Sequence, residues 1–88
     1  MERRLHGAFP EQDYAAETRA VRLHGHVTSI RLEAAYWALL EEMARRDATT
    51  LARVVAAFRD EALERHGDAV NFSSFLRVSC LHYLRMRK

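Results

Sequence analysis

The sequence predicts a mainly α protein: one short strand near the N-terminus, two core helices and an additional C-terminal helix. Three observations carry this. Side chains alternate from Val27 to Leu32 in "GHVTSIRLE", with Thr28, Ile30 and Leu32 on one side and Val27, Ser29 and Arg31 on the other. The apolar period changes from 2 to 3.6 after Leu32. Helix caps are available at Thr49 or Thr50 and at Asn71 or Ser73, before two further amphipathic runs.

The elements follow in order. Residues 1–18 hold the single proline, Pro10, with mixed charge and little periodicity. They are expected to form a flexible arm, at most turning helically around Tyr14 to Glu17, with the folded domain at 19–88. "TRAVRLH" places Val21 and Leu23 opposite Arg22 and can form a second strand. In "EAAYWALLEEMARR", Tyr36, Trp37, Leu40, Met43 and Ala44 make one helical face. "LARVVAAFRDEALERH" sets Leu51, Val54, Val55, Phe58 and Ala62 on another, and Gly67 can end that helix in the left-handed conformation. The last helix, "SSFLRVSCLHYLRMR", buries Phe72, Phe75, Leu76, Cys80, Tyr83 and Leu84.

Composition narrows the function. With 88 residues, 49% apolar and 30% charged, the chain suits one globular domain rather than a disordered segment. No apolar run approaches the roughly 20 residues of a membrane span. "MERRLHGAFPEQDY" lacks the apolar stretch of a secretory signal. The single cysteine, Cys80, cannot form an internal disulfide. These features lead us to expect a cytoplasmic protein without membrane contact. The net charge is +2, but residues 51–88 set Arg53, Arg59, Arg65, Arg77, Arg85, Arg87 and Lys88 against Asp60, Glu61, Glu64 and Asp68. Lys88 is the sole lysine among 14 basic residues, and arginine is the cation suited to bidentate contact with phosphate or guanine.

A strand of about six residues needs a partner for its backbone groups. Two are available. Gly25-His26 can close a type II′ hairpin with "RAVRLH", or the strand can pair with its own copy across a two-fold axis.

The strand ending in "SIRLE", the helix after it, the turn "DATTL" and the second amphipathic helix resemble the ribbon-helix-helix transcription regulators. The likeness is closer to a bacterial subgroup with a "GHxTSIxLE"-like strand, an aromatic-Trp pair and an "NxSSxLR"-like third helix, matched here by Tyr36-Trp37 and "NFSSFLR". It covers roughly residues 20–84. The resemblance implies an intertwined homodimer in which the strand pairs with its copy, over a dimer core of Ile30, Leu32, Trp37, Leu40, Val54, Val55 and Phe58. It implies a ribbon in the major groove of double-stranded DNA, with Val27, Ser29 and Arg31 contacting bases and Thr49, Thr50 and Leu51 contacting phosphate. The implied role is a transcriptional regulator, a repressor, associated with the nucleoid. Two positions depart from the pattern. Val27 stands where a basic or polar residue is common, which thins base readout. Ala48 stands where glycine is usual; a positive φ there costs on the order of 1 kcal/mol unless Asp47 takes that conformation instead.

Other chemistry is weakly signalled. His24 and His26 lack further ligands at a metal-binding spacing, so no metal or cofactor is expected. Trp37 reads as core rather than as a base-stacking platform, Cys80 as packing, and Ser73 and Ser74 as a cap rather than nucleophiles. The basic tail of Arg85, Arg87 and Lys88 suits either a helix C-terminus or phosphate attraction. No phosphate loop or catalytic triad pattern marks an enzyme. The alternative function is a protein-interaction module, an antitoxin or adaptor holding a partner through the third helix or the arm. An exposed apolar face on that helix would favour it.

Overall fold

The strand expected at Val27–Leu32 spans His26–Glu33 (β2) and pairs antiparallel with Ala16–Leu23 (β1) of the same chain. This computed structural model describes residues 9–87. A single helical turn, Glu11–Tyr14 (α1), leads into β1. After β2 come Ala34–Arg46 (α2), Leu51–His66 (α3), a short 3-10 turn at Gly67–Ala69 and Phe72–Met86 (α4). The mainly α order of ribbon, two core helices and an added third helix is therefore present.

Within the chain the strand's partner is β1, in the hairpin that the sequence allows. β1 takes one edge of β2, so the copy that the resemblance implies would have to pair along the other. The turn differs from the expected Gly25-His26 turn. His24 (φ 52°) and Gly25 (φ 84°) form the two-residue loop, both with positive φ, as a type I′ turn requires. Leu23 then faces His26, and the register runs on to Ala16 opposite Glu33. A Gly25-His26 loop would shift the pairing by two residues and keep the same faces inward, so hydrophobic pattern cannot choose between the registers. Turn chemistry chooses, because the twist of a type I′ turn matches that of the strands and glycine fits its second position.

The inner face of the hairpin carries Val21, Leu23, Ile30 and Leu32, all buried. Trp37, Leu40, Met43 and Ala44 of α2, Val54 and Val55 of α3, and Leu76 and Cys80 of α4 complete one core. On the expected architecture, Ile30, Leu32, Trp37, Leu40, Val54 and Val55 need a second subunit for burial. They are at most 9% exposed in one chain, because β1 and α4 supply the cover. Phe58 is half-buried at the core margin. Each fully buried aliphatic side chain contributes about 1.5–3 kcal/mol. Leu84 departs from expectation, being exposed on α4.

The N-terminal boundary also moves. Residues 16–18 belong to β1, and the helical turn lies at Glu11–Tyr14 rather than Tyr14–Glu17. Residues 1–8 of the expected arm lie outside the described residues. Two hydrogen bonds fasten the start of β1 to the start of α2: the Ala34 amide donates to the Ala15 carbonyl at 2.7 Å, and Trp37 Nε1 donates to the Glu17 carbonyl at 3.0 Å. Trp37 is fully buried, with the Arg19 guanidinium 4.9 Å from the centre of its ring.

Caps end and begin the helices as their chemistry requires. At the end of α2, Ala48 N–H donates to Arg45 O at 3.2 Å and Thr49 N–H donates to Ala44 O at 2.9 Å, the paired bonds of a Schellman motif. Ala48 itself takes the positive φ (53°), while Asp47 has φ −93°. Thr50 caps α3 by accepting from Arg53 N–H at 3.2 Å, and Asn71 caps α4 by accepting from Ser74 N–H at 3.1 Å.

Ion pairs bind α4 to the rest. Arg77 pairs with Glu33 at 3.0 Å, and Arg87 pairs with Glu42, which also accepts from the Tyr83 hydroxyl at 2.6 Å. The Tyr83 hydroxyl and then Arg87 hold the Glu42 carboxyl below its ordinary pKa; Arg77 does the same for Glu33.

Ala48→Gly relieves the left-handed alanine and is expected to raise stability by about 1 kcal/mol in urea denaturation, net of the greater freedom glycine gives the unfolded chain. A carboxylate with a depressed folded pKa stabilises above its unfolded value and loses that contribution as pH falls through the folded value. Glu42→Gln is therefore expected to flatten the fall in stability below the ordinary value of 4.5, measured by denaturation across acidic pH.

Candidate nucleic-acid interface

The outer face of the hairpin follows from its register. In an antiparallel pair, directly opposed residues share a face. Arg22 opposes Val27, Ala20 opposes Ser29 and Thr18 opposes Arg31. All six side chains are exposed, and Val27 keeps 60% of its surface. The expected row Val27, Ser29 and Arg31 is thus one side of a two-row surface. Its second row, Thr18, Ala20 and Arg22, is not singled out by the sequence. The alternation in "TRAVRLH" already places Arg22 opposite Val21 and Leu23; only the register can put it beside Val27.

Charge on the two faces is handled differently. Arg19, facing inward, is neutralised by Glu41 at 2.7 Å and Glu17 at 3.1 Å. Its hydrogen bond to Glu41 is the main cause that holds its pKa above the ordinary arginine value, against some desolvation. Arg22 and Arg31 make no ion pair with any acid among the described residues. Arg22 Nη1 donates to the Gly25 carbonyl at 3.2 Å and so lies along the turn. The outer face therefore offers two guanidinium groups outside any ion pair among the described residues, one hydroxyl in each row and a methyl-bearing Val27. These groups can engage phosphates, base edges and a thymine methyl.

The edge of β2 adds backbone groups. A two-residue turn closes on a hydrogen-bonded pair, here Leu23 with His26, and such pairs alternate along the ladder. The amides of Val27, Ser29 and Arg31 consequently point away from β1. The Ser73 hydroxyl, at the start of α4, reaches the Arg31 carbonyl at 3.5 Å.

At the start of α3, Thr50 is exposed, Thr49 and Leu51 are half-buried, and the first-turn amides lack partners within the helix. Arg53 stands exposed on the same turn. That terminus has the donors an anion needs.

The remaining candidates have structural roles. His24 Nε2 lies 2.7 Å from Asp60 Oδ1, tying the hairpin tip to α3. No cluster of three metal-ligating side chains occurs among the described residues. Cys80 is fully buried, and desolvation pushes its thiol up to about 11, which suppresses the thiolate. Arg87 is committed to Glu42, so the tail offers less free charge than its sequence implies. No helix among the described residues is long and apolar enough to cross a membrane. Val78 (64% exposed) and Leu81 (46%) give α4 an exposed apolar side, and Val78 lines a cleft of about 370 Å³ with Phe58, Phe75 and His82.

Comparison with known proteins agrees with this geometry. A ribbon-helix-helix domain model matches residues 16–84. An uncharacterized protein from Bordetella pertussis Tohama I has a solved structure similar to this one, with a TM-score of 0.79 and 41% sequence identity over 89% of this chain. The chain spans 62% of that protein's length. No curated protein matches this chain.

The two faces should respond differently to truncation. Arg31→Ala is expected to change folding stability by less than about 0.5 kcal/mol, whereas Leu32→Ala, on the adjacent inward position, costs about 2–5 kcal/mol. Thermal and denaturant unfolding of the pair checks this.

Proposed function

The chain belongs to the ribbon-helix-helix family, and from that premise we propose that it is a homodimeric, sequence-specific DNA-binding regulator of transcription, a repressor of nearby genes. Ribbon-helix-helix domains are typically DNA-binding regulators. The observation that carries the proposal is the outer face of the hairpin, where Val27, Ser29 and Arg31 stand exposed in one row and Arg31 has no acidic partner among the described residues. The protein acts in the bacterial cytoplasm on double-stranded DNA, and no reaction is assigned to it.

Dimerisation uses the edge of β2 away from β1, where the Ser73 hydroxyl reaches the Arg31 carbonyl. The outward amides of Val27, Ser29 and Arg31 pair with the same edge of a second copy, giving the order β1-β2-β2-β1 across a two-fold axis. Outward residues then face outward residues, so the two rows form one continuous surface. The central β2 pair is the ribbon that enters the major groove. Arg31 takes guanine O6 and N7 in a bidentate contact worth about 1–3 kcal/mol of discrimination, Ser29 donates or accepts, and Val27 touches a thymine methyl. Thr49, Thr50 and Leu51 hold a phosphate at the start of α3 through the free amides of Thr50 and Leu51, the Thr49 hydroxyl and the helix dipole, the Thr49 amide being committed to Ala44 O.

A second reading, a protein partner held along α4, is supported by the exposure of Val78 and Leu81. The two readings are compatible, since they use different surfaces. A variant with both residues replaced by Asp that regulates normally in cells removes the second.

The test of the first is binding to a duplex selected from a random pool and to its scrambled counterpart. The wild type is expected to prefer the selected duplex and to lose affinity steeply as salt rises. Arg31→Ala is expected to erase the preference while leaving the dimer intact by light scattering. Wild-type preference in that variant would contradict the ribbon readout.

A further inference from the structure

Building on that DNA-binding reading, we propose that β1 supplies a second functional row, in which Arg22 and Thr18 grip the phosphates flanking the groove while β2 reads the bases. The argument begins with width. Neighbouring strands lie about 4.8 Å apart, so the central β2 pair fits a major groove about 12 Å wide. Three such spacings place the two β1 strands about 14 Å apart, wider than the groove itself. β1 therefore cannot follow β2 to the base edges. It lies over the two groove walls, where the phosphates are.

The side chains of β1 suit that position. Arg22 and Thr18 share the outer face with the β2 row, opposite Val27 and Arg31 respectively. Both are exposed. Arg22 has no acidic partner among the described residues, and its bond to the Gly25 carbonyl occupies only one of its guanidinium donors. Ala20, between them, is small enough to let the sheet approach the backbone. The inward cation of the same strand, Arg19, is neutralised by two glutamates and plays no part. Among the described residues, the β1 charge outside any ion pair thus points only toward the DNA side.

A phosphate grip and a base reader leave different signatures in salt. Each phosphate neutralised contributes about 0.9 to the slope of log affinity against log salt. Binding of the full chain to a random-sequence duplex pool and to a duplex selected from it is measured at several salt concentrations. For Arg22→Ala, with one arginine lost per subunit, the slope is expected to become shallower by about 1.8 on both duplexes. The ratio of selected to random affinity should stay unchanged. Arg22→Lys is expected to keep the wild-type slope, and Thr18→Val to weaken both duplexes without altering it. A role confined to supporting the turn would lower the melting temperature of Arg22→Ala and leave its slope untouched, which would overturn the proposal. So would a collapse of the preference in Arg22→Ala, because Arg22 would then be reading bases. If the slope of Arg22→Ala is unchanged while Arg31→Ala still loses its preference, the flanking grip is wrong and the ribbon reading stands. Failure of the wild type to bind either duplex removes both.

Discussion

The pairing of Leu23 with His26 is the constraint on which the rest of the structure depends. Once a type I′ turn at His24-Gly25 fixes that pair, strand alternation assigns every later residue to a face. Val21, Leu23, Ile30 and Leu32 fall inward and close the core, while Thr18, Arg22, Ser29 and Arg31 fall outward. A one-residue slip of β2 against β1 would turn Ile30 and Leu32 outward and Arg31 inward. The hydrogen bonds from Ala34 and Trp37 back to the chain at Ala15 and Glu17 hold the far end of the hairpin in the same register. Stability and the proposed binding surface are thus two sides of one alternation.

The hairpin also changes what a second subunit contributes. Where a single strand sits over two helices, a copy has to complete the sheet and the core together. In this chain β1 completes the sheet on one side, and α4 covers the helices with Leu76 and Cys80. A copy is left with a narrower task, pairing the outward amides of β2 and aligning two rows of side chains. The proposed dimer interface is accordingly backbone-dominated at its ribbon, with the apolar core already closed inside each chain.

The helices are legible in the sequence because their signals are local. The caps at Thr50 and Asn71, the C-terminal Gly67 and the stripe Leu51, Val54, Val55, Phe58 each act within a few residues. The exposed row of β2 is legible for the same reason, since alternation sorts Val27, Ser29 and Arg31 from Ile30 and Leu32 without knowledge of a partner. The partner itself cannot be read this way. Two registers and two possible partners preserve the same inward residues; the geometry of the turn separates the registers, and the alternation does not tell the partners apart. Arg22 and Thr18 escape a sequence reading because their relevance depends on sitting beside Val27 and Arg31. Ala48 shows a related limit: the need for a positive φ in that turn is readable, but the bonds from Ala48 and Thr49 back to α2 decide that alanine, and not Asp47, bears it.

The most direct test of the central claim is hydrogen exchange at the amides of Val27, Ser29 and Arg31, followed by NMR across protein concentration without DNA. Pairing across the two-fold should slow exchange at all three together as the dimer forms, while Trp37 and the core amides stay protected throughout. Rapid exchange at the three positions at every concentration would contradict it. The hairpin would then stand as a closed, single-chain ribbon whose β2 edge no second copy completes.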